Sequence, residues 1–311
     1  MNILIFGSNG LVGSSLVRKF QLQHKEINLI TSTRNDTDLF SLEQTKKKIN
    51  DSKPDIVIIA AAKVGGIYAN NTQRFNFIID NLKISMNIFE SLVEFNDTKI
   101  INIGSSCIYP LSADNPINEN SLMSGKLEPT NSPYSMAKLS SLEISRTMRD
   151  QFGHKILNLM PTNLYGPNDK FEEFNSHVIP GLIFKMHRAK INESKEVEIW
   201  GSGKPLREFM HVDDLSSAIE FLIRNEISND ILNVGSNEVV SIKELSKLIQ
   251  KVIGFKGNLV FNQEYPDGNP KKLLDSTQIN NLGWKSNISL EDGISNTSVS
   301  YTHLTLPTRL P

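Results

Sequence analysis

The sequence predicts an α/β fold: a Rossmann-type doubly wound parallel sheet carrying a smaller mixed α/β substrate domain. Three observations predict it. Short, largely apolar runs (Ile3 to Phe6, Asp55 to Ala60, Lys99 to Ile103 and Ile156 to Met160) recur between helical patterns, as strands buried on both faces of a parallel sheet do. The first run passes straight into a glycine-rich turn and a helix. The last two deliver small, hydroxyl-bearing residues to one edge of the sheet, where such folds place their chemistry.

The chain has 311 residues, enough to bury a substantial core, and a formal net charge of −1 with no long basic run. That balance argues against nucleic acid or an anionic membrane as the main partner. No apolar run approaches the ~18–20 residues of a membrane span. Met1 to Gly7 lacks the basic flank and cleavage site of a signal peptide. The one cysteine, Cys107, has no internal disulfide partner, which points to a reducing, cytoplasmic setting.

After the first strand comes Gly7-Ser8-Asn9-Gly10-Leu11-Val12-Gly13, then a helical pattern through Phe20. Glycines three apart between a strand and a helix make a tight turn, admit a pyrophosphate to the backbone and point helix N–H groups at it. The second strand, about Asn28 to Thr31, ends in Thr31-Ser32-Thr33-Arg34, without the acid that would bind a ribose 2′-hydroxyl. Arg34 suits a 2′-phosphate, so NADP is expected over NAD, with Asp38 and Leu39 under the adenine. The third strand runs into Ala61-Ala62-Lys63-Val64-Gly65-Gly66, whose small residues leave room for a cofactor. Asn70 to Phe95 reads as one long helix, its Asn and Ser residues on the surface.

The fourth strand delivers Gly104-Ser105-Ser106-Cys107-Ile108-Tyr109-Pro110. Ser132 then reads as an N-cap, Pro133 as the first helical residue and Gly153 as the stop of a helix through Phe152. On that helix Tyr134 and Lys138 stand one turn apart on one face. A lysine cation would lower the pKa of the phenol from its usual ~10 and equip the pair for proton transfer near neutrality. The fifth strand leads into Pro161-Thr162-Asn163-Leu164-Tyr165-Gly166-Pro167.

Beyond residue 165 the loops lengthen, Asn168 to Ser176 most clearly. There follow a helix (Val178 to Ala189), a strand into Trp200-Gly201, the stretch Arg207 to Asp214, a strand (Ile231 to Val234) and an amphipathic helix (Ile242 to Ile253). Asp213-Asp214 reads as the cap of a helix from Leu215 to Ile223. The expected division is a dinucleotide domain over 1–165, with return segments near 205–236, and a mainly substrate domain over 166–297. Residues 298–311 break the helical pattern begun at Leu290 and read as a non-native tail.

Several motifs together carry a resemblance: Ala60 to Gly66, Gly104 to Pro110, Leu127-Glu128-Pro129-Thr130-Asn131, Pro161 to Pro167, Asn175-Ser176-His177-Val178-Ile179-Pro180 and Trp200 to Asp214. Over about residues 2–296 the chain resembles the extended short-chain dehydrogenase/reductases. Within them it is similar to the enzymes that epimerise GDP-4-keto-6-deoxymannose at C3 and C5 and reduce it at C4 with NADPH. The loop Asn168 to Phe174 departs from the usual pattern of that group.

The resemblance implies roles. Tyr134 would give the proton to the C4 oxygen, Lys138 would assist it and bond the nicotinamide ribose, and Ser105, with Ser106 as runner-up, would bond the ketone. Cys107 would take a proton from carbon and His177 return one; ordinary pKa values of ~8.5 and ~6.5 make both usable near neutrality. The cofactor set is Gly7, Ser8, Asn9, Gly10, Leu11, Val12, Gly13, Arg34, Asp38, Leu39, Ile103, Gly104, Ser105, Ser106, Lys138, Pro161, Thr162, Asn163, Leu164 and His177. Arg207 and Lys185 would face the pyrophosphate, Trp200 the guanine or sugar, and Asp267 ribose or sugar hydroxyls. The group is commonly dimeric through two long helices, here Asn70–Phe95 and Tyr134–Phe152. No Cys/His cluster has zinc spacing, so no metal is expected. The competing readings are another nucleotide-sugar epimerase or dehydratase of this fold, and a non-catalytic NADP-binding regulator. A dehydratase would want acids just after Ser105, where Ser106 and Cys107 stand; a regulator would be expected to have lost the Tyr/Lys/Ser set.

Overall fold

The first strand already shows how the sequence dictates the core. Side chains alternate across a strand. Ile3 and Ile5 pack into one apolar cluster and Leu4 and Phe6 into another on the opposite face, all four fully buried. A sheet buried on both sides needs a helical layer on each, and the chain supplies them. The computed structural model describes residues 1–24 and 26–305.

In order, the elements are β1 (Asn2–Phe6), α1 (Leu11–Gln23), β2 (Asn28–Ser32), α2 (Leu42–Ser52), β3 (Ile56–Ile59), α3 (Ile67–Thr72), α4 (Arg74–Leu92), β4 (Lys99–Ile103), α5 (Ser132–Phe152), β5 (Ile156–Pro161) and β6 (Asn163–Tyr165). They continue as α6 (Val178–Ile191), β7 (Glu196–Trp200), β8 (Leu206–His211), α7 (Val212–Arg224), β9 (Ile231–Val234), β10 (Val239–Ser241), α8 (Ile242–Ile253), β11 (Asn258–Asn262), β12 (Lys271–Lys272), α9 (Thr277–Leu282) and α10 (Leu290–Thr305).

Six strands form one parallel sheet in the order β2-β1-β3-β4-β5-β9. The order reverses between β1 and β3, which opens a crevice at the carboxyl ends of those strands. Helices α1 and α7 cover one face; α2, α4 and α5 cover the other. The chain returns to this sheet through α7 and β9, whereas β8 belongs to a second sheet. There β8 pairs with β6, β10 and β12, and β7 pairs with β11 in a separate two-stranded sheet. Helices α6, α8 and α10 close the apolar core of this second part.

Several elements differ from expectation for identifiable reasons. The helix expected over 70–95 is two, interrupted at Gln73 (φ −116°, ψ 34°). The Asn and Ser residues expected on its surface include the buried Asn70, Asn81, Ser85 and Ser91. Asn131, not Ser132, is the N-cap position of α5, and Gly153 ends that helix in the left-handed region (φ 74°), where a side chain would be strained. Asp213 and Asp214 do not cap α7. His211 does, its Nδ1 accepting from the Asp213 amide at 3.3 Å, while Asp213 pairs with Arg18 at 3.0 Å and Asp214 accepts from the amides of Asn287 and Ile288. The expected break after residue 297 is absent through Thr305. In α10 Tyr301 packs against Phe171 and His187 (centroids 5.1 and 5.0 Å), and Ser298 Oγ meets His187 Nε2 at 2.8 Å. Residues 306–311 of that expected tail lie outside the described residues.

A buried polar network holds α5 on the sheet. Asn102 of β4 donates to Asn158 Oδ1 of β5 at 2.8 Å and to Ser141 Oγ at 3.3 Å; Ser145 Oγ donates to the same Asn158 oxygen at 3.0 Å. Asn158 Nδ2 donates to the Asp230 carbonyl at 3.0 Å. Removing one member leaves the others desolvated without partners. Asn158→Ala is expected to lower the unfolding free energy by ~1–3 kcal/mol in urea denaturation; an unchanged midpoint would show the network to be dispensable.

Candidate active site

The turn after β1 is shaped to accept a pyrophosphate. Gly7 has φ 80°, and a Cβ there would stand 2.8 Å from Ala61 Cα. A Cβ on Gly13 would collide with the Gly7 carbonyl and Ser8. The turn therefore needs glycine at both positions, and α1 can start directly beneath it. No side chain caps α1 and no acid lies in its first turn, so its N-terminus is left for an anion. Arg34 stands exposed just past β2, its guanidinium 5.7 Å from the centre of the Phe40 ring. The carboxylate nearest in sequence, Asp36, accepts instead from the Thr33 amide and hydroxyl (2.9 and 2.7 Å), which holds its pKa below the usual range. Asp38 accepts from the Phe40 amide, and Leu39 packs into the core of this face. These residues fit a dinucleotide whose adenosine end carries an extra phosphate.

At the carboxyl end of β4 the chain turns through Ser105 into a short 3-10 helix, Ser106–Ile108. Ser105 is half-buried; its Oγ accepts from the Cys107 amide at 3.2 Å and stands close enough to the Tyr134 phenol to favour the ionised form. Ser106 is buried at 3 % exposure, which favours Ser105 over Ser106 as the group facing a substrate. Gly104 packs so closely on Met160 that a Cβ there would collide with the thioether.

Tyr134 meets the edge of the Phe77 ring (centroids 6.3 Å). Its packing pushes the phenol pKa up, the nearby Cys107 adding to the rise and the Ser105 bond opposing it. Lys138 does not reverse this: its Nζ is buried and donates to the Ile103 carbonyl at 2.8 Å, and burial draws its pKa down to about 8. The expected lowering of the Tyr134 pKa is thus corrected. Packing rather than the cation sets the direction of the shift, which favours the protonated phenol, the state required of a proton donor.

Cys107 is a free, partly exposed thiol. With the Asn131 amide turned so that its nitrogen donates to Glu128 O, Glu128 Oε2 and Ser135 Oγ (3.2, 3.3 and 3.2 Å), the amide atom 3.4 Å from Cys107 Sγ is the oxygen, an acceptor for the thiol. Arg207 is within electrostatic reach of both Cys107 and Glu128.

His177 is exposed at the N-cap position of α6. The residues before it pack on the loop after β3: the Gly66 amide donates to the Asn175 carbonyl at 3.1 Å, and a Cβ on Gly66 would strike the Ser176 carbonyl. Asn81 and Asn70 hold that loop. Asn81 bonds both the amide and carbonyl of Lys63 (2.9 and 3.0 Å), and Asn70 bonds the carbonyls of Gly65 and Gly66 (2.7 and 3.0 Å). Gly65 in turn lies against Phe77, the residue that abuts Tyr134. Contacts thus connect the wall carrying Tyr134 to the segment carrying His177.

The substrate-side residues are brought together, with changed partners. Lys185 Nζ sits 4.4 Å over Trp200, which Tyr265 also stacks on at 4.5 Å and 14°, with Phe174 tilted against it at 6.0 Å. Arg207 donates to the carbonyls of Leu206 and Asp267 (3.0 and 3.1 Å). The Asp267 carboxylate is already taken by the Ser202 amide and hydroxyl (both 2.7 Å), so it braces the 200–204 turn rather than presenting free oxygens to a ribose. Thr162 and Asn163 likewise bond the Glu208 carbonyl (3.2 and 2.7 Å), and Leu164 packs into the core. Sequence reasoning missed Tyr265, Asn81 and Phe77. None lies in a recognisable motif, and only a buried Asn on an otherwise apolar helix face could have signalled the loop clamp. Among the described residues no group of His, Cys, Asp and Glu is placed to hold a metal ion.

Residues 3–235 match the NAD dependent epimerase/dehydratase family. A GDP-L-fucose synthase from Arabidopsis thaliana is 45 % identical over 295 residues, 95 % of this chain and 91 % of that protein. The structure of a GDP-D-glycero-L-gluco-heptose synthase from Campylobacter jejuni, determined in the presence of NADPH, superposes with a TM-score of 0.88 at 31 % identity, over 97 % of this chain and 98 % of the other. That of a GDP-L-fucose synthetase from Naegleria fowleri bound to NADP gives a TM-score of 0.89 at 26 % identity, over 98 % and 95 %. The chain belongs to the NAD dependent epimerase/dehydratase family, in its GDP-L-fucose synthase branch.

Proposed function

We propose that this chain converts GDP-4-keto-6-deoxy-D-mannose to GDP-L-fucose by 3,5-epimerisation followed by NADPH-dependent reduction at C4. The observation that carries the proposal is the convergence of the Ser105 hydroxyl, the Tyr134 phenol and the Cys107 thiol at the end of β4. Two hydroxyls beside one ketone oxygen serve both halves of the reaction. They stabilise the enolate formed when a proton leaves C3 or C5, and they polarise the ketone for reduction. Cys107 removes the proton from carbon and His177 returns one to the opposite face. NADPH, when bound, supplies the hydride. The glycine turn holds its pyrophosphate, Arg34 its 2′-phosphate and Lys138 its ribose. Tyr134, held protonated, gives its proton to O4. Arg207 and Lys185 neutralise the substrate diphosphate, and Trp200 offers the base an aromatic face. A thiol that must stay reduced to act as a base suits a cytoplasmic setting.

The proposal extends to a homodimer built on α4 and α5. These helices pack on each other, and Phe75 and Met86 of α4, three turns apart on one face, stay exposed at 72 % and 52 %, as does Met136 of α5 at 47 %. Phe75→Glu combined with Met86→Glu is expected to halve the mass measured by light scattering, whereas an unchanged mass would remove this interface.

Incubation with GDP-4-keto-6-deoxymannose and NADPH in D2O tests the chemistry. The wild type is expected to consume NADPH and place deuterium at C3 and C5. Cys107→Ser is expected to bind NADPH normally but to incorporate at least ~100-fold less deuterium; incorporation at the wild-type rate would refute the base assignment. Burial draws the Lys138 pKa down to about 8, so NADPH affinity is expected to fall as pH rises through that value and the ammonium is lost. The same titration of Lys138→Met, read by NADPH fluorescence, should be flat in that range.

A further inference from the structure

The segment between β6 and α6 is ordered by its own hydrogen bonds. The Asp169 amide donates to the Gly166 carbonyl at 3.3 Å, and Asp169 Oδ1 accepts from the Lys170 amide at 2.8 Å. Ser176 Oγ donates to the Lys170 carbonyl at 2.5 Å and accepts from the Glu172 amide at 2.6 Å. The segment therefore folds back on itself, and Asp169-Lys170 lies beside Ser176-His177. One carboxylate oxygen is satisfied by this turn. The other, Asp169 Oδ2, is buried with no hydrogen-bond partner. An unmade bond on a buried polar group costs roughly 1–3 kcal/mol, and more on a charged one, so such an oxygen calls for a donor.

We propose that Asp169 is the positioning partner of His177, its free Oδ2 receiving an imidazole N–H when the substrate site closes. His177 is exposed at the start of α6, so its ring has room to turn. A carboxylate behind an imidazole fixes which ring nitrogen carries the proton, orients the other toward its target and stabilises the imidazolium. Those are the needs of a group that must return a proton to carbon on a stated face of the sugar. The electrostatics agree: burial raises the Asp169 pKa, and the neighbouring His177 opposes the rise.

This inference rests on the epimerase–reductase reading, and the experiment separates the two. Deuterium incorporation and product configuration are measured for the wild type, Asp169→Asn, Asp169→Glu, His177→Asn and the Asp169→Asn/His177→Asn pair, with NADPH Kd as the check on folding. Asp169→Asn is expected to bind NADPH as the wild type does, to incorporate deuterium about tenfold or more slowly, and to release a larger share of 4-reduced sugar that was never epimerised. Asp169→Glu, which keeps the charge, should recover part of the loss. In the His177→Asn background the second substitution should cost nothing further, because the partner is already gone. Equal losses in both backgrounds, or a rise in KM that survives removal of His177, would overturn the proposal by placing Asp169 on the substrate or in the scaffold. If Asp169→Asn does not fold, the Glu variant is compared in both backgrounds by the same criterion. Absence of deuterium uptake by the wild type would defeat the epimerase reading itself, and this inference with it.

Discussion

The hydrogen bond from Lys138 Nζ to the Ile103 carbonyl ties the helix that carries Tyr134 to the strand end that carries Ser105 and Cys107. Helix and strand come from distant parts of the chain, and nothing local aligns them. A slip of α5 by one turn, about 5.4 Å, would leave phenol and serine out of reach. The ammonium fixes one end of the helix against the last carbonyl of β4, and the Asn102–Asn158–Ser141–Ser145 network fixes its middle. Apolar packing alone tolerates small shifts; buried polar groups do not, since each misplaced donor loses its partner. The register of the candidate catalytic pair is thus a consequence of polar burial.

A buried acid braces β8. Glu208 of β8 is fully buried; its carboxylate accepts from the amides of Asn237 and Leu274 (2.8 and 3.0 Å), and its carbonyl accepts from Thr162 and Asn163 at the end of β5. Burial raises its pKa and these bonds oppose the rise. The corner between β5 and β8 is therefore held by one residue, two bonds to its side chain and two to its backbone carbonyl. From β8 the neighbouring Arg207 then reaches Asp267 on one side and the surroundings of Cys107 on the other.

The strands of the parallel sheet were legible because burial on both faces leaves nearly continuous apolar runs, and β4 and β9 appear with the expected bounds. The glycine turn was legible because backbone geometry at Gly7 and close approach at Gly13 exclude other residues. What escaped was every feature set by tertiary partners. The break at Gln73 carries no glycine or proline. The capping of α7 by His211 was hidden by two adjacent acids with ordinary capping propensity. Asp267 carried no sign in the sequence that Ser202, 65 positions away, would claim its carboxylate. The same limit applied to Tyr134: a Tyr-x-x-x-Lys spacing shows that the two side chains share a face but not how much water surrounds them.

Burial resolves an apparent conflict in the site's chemistry. A phenol made acidic by a nearby cation would be partly ionised before the substrate arrives and less able to give up a proton. Packing beside Phe77 and the nearby Cys107 instead favour the protonated form of Tyr134, with Ser105 opposing them. Lys138, drawn to about 8 and pointed at a carbonyl, is a cation that can be recruited when the charge on the oxygen develops. An ammonium held in place in this way needs no reorganisation, and its charge counts most where negative charge develops on a nearby oxygen, which is when an electrostatic contact lowers a barrier.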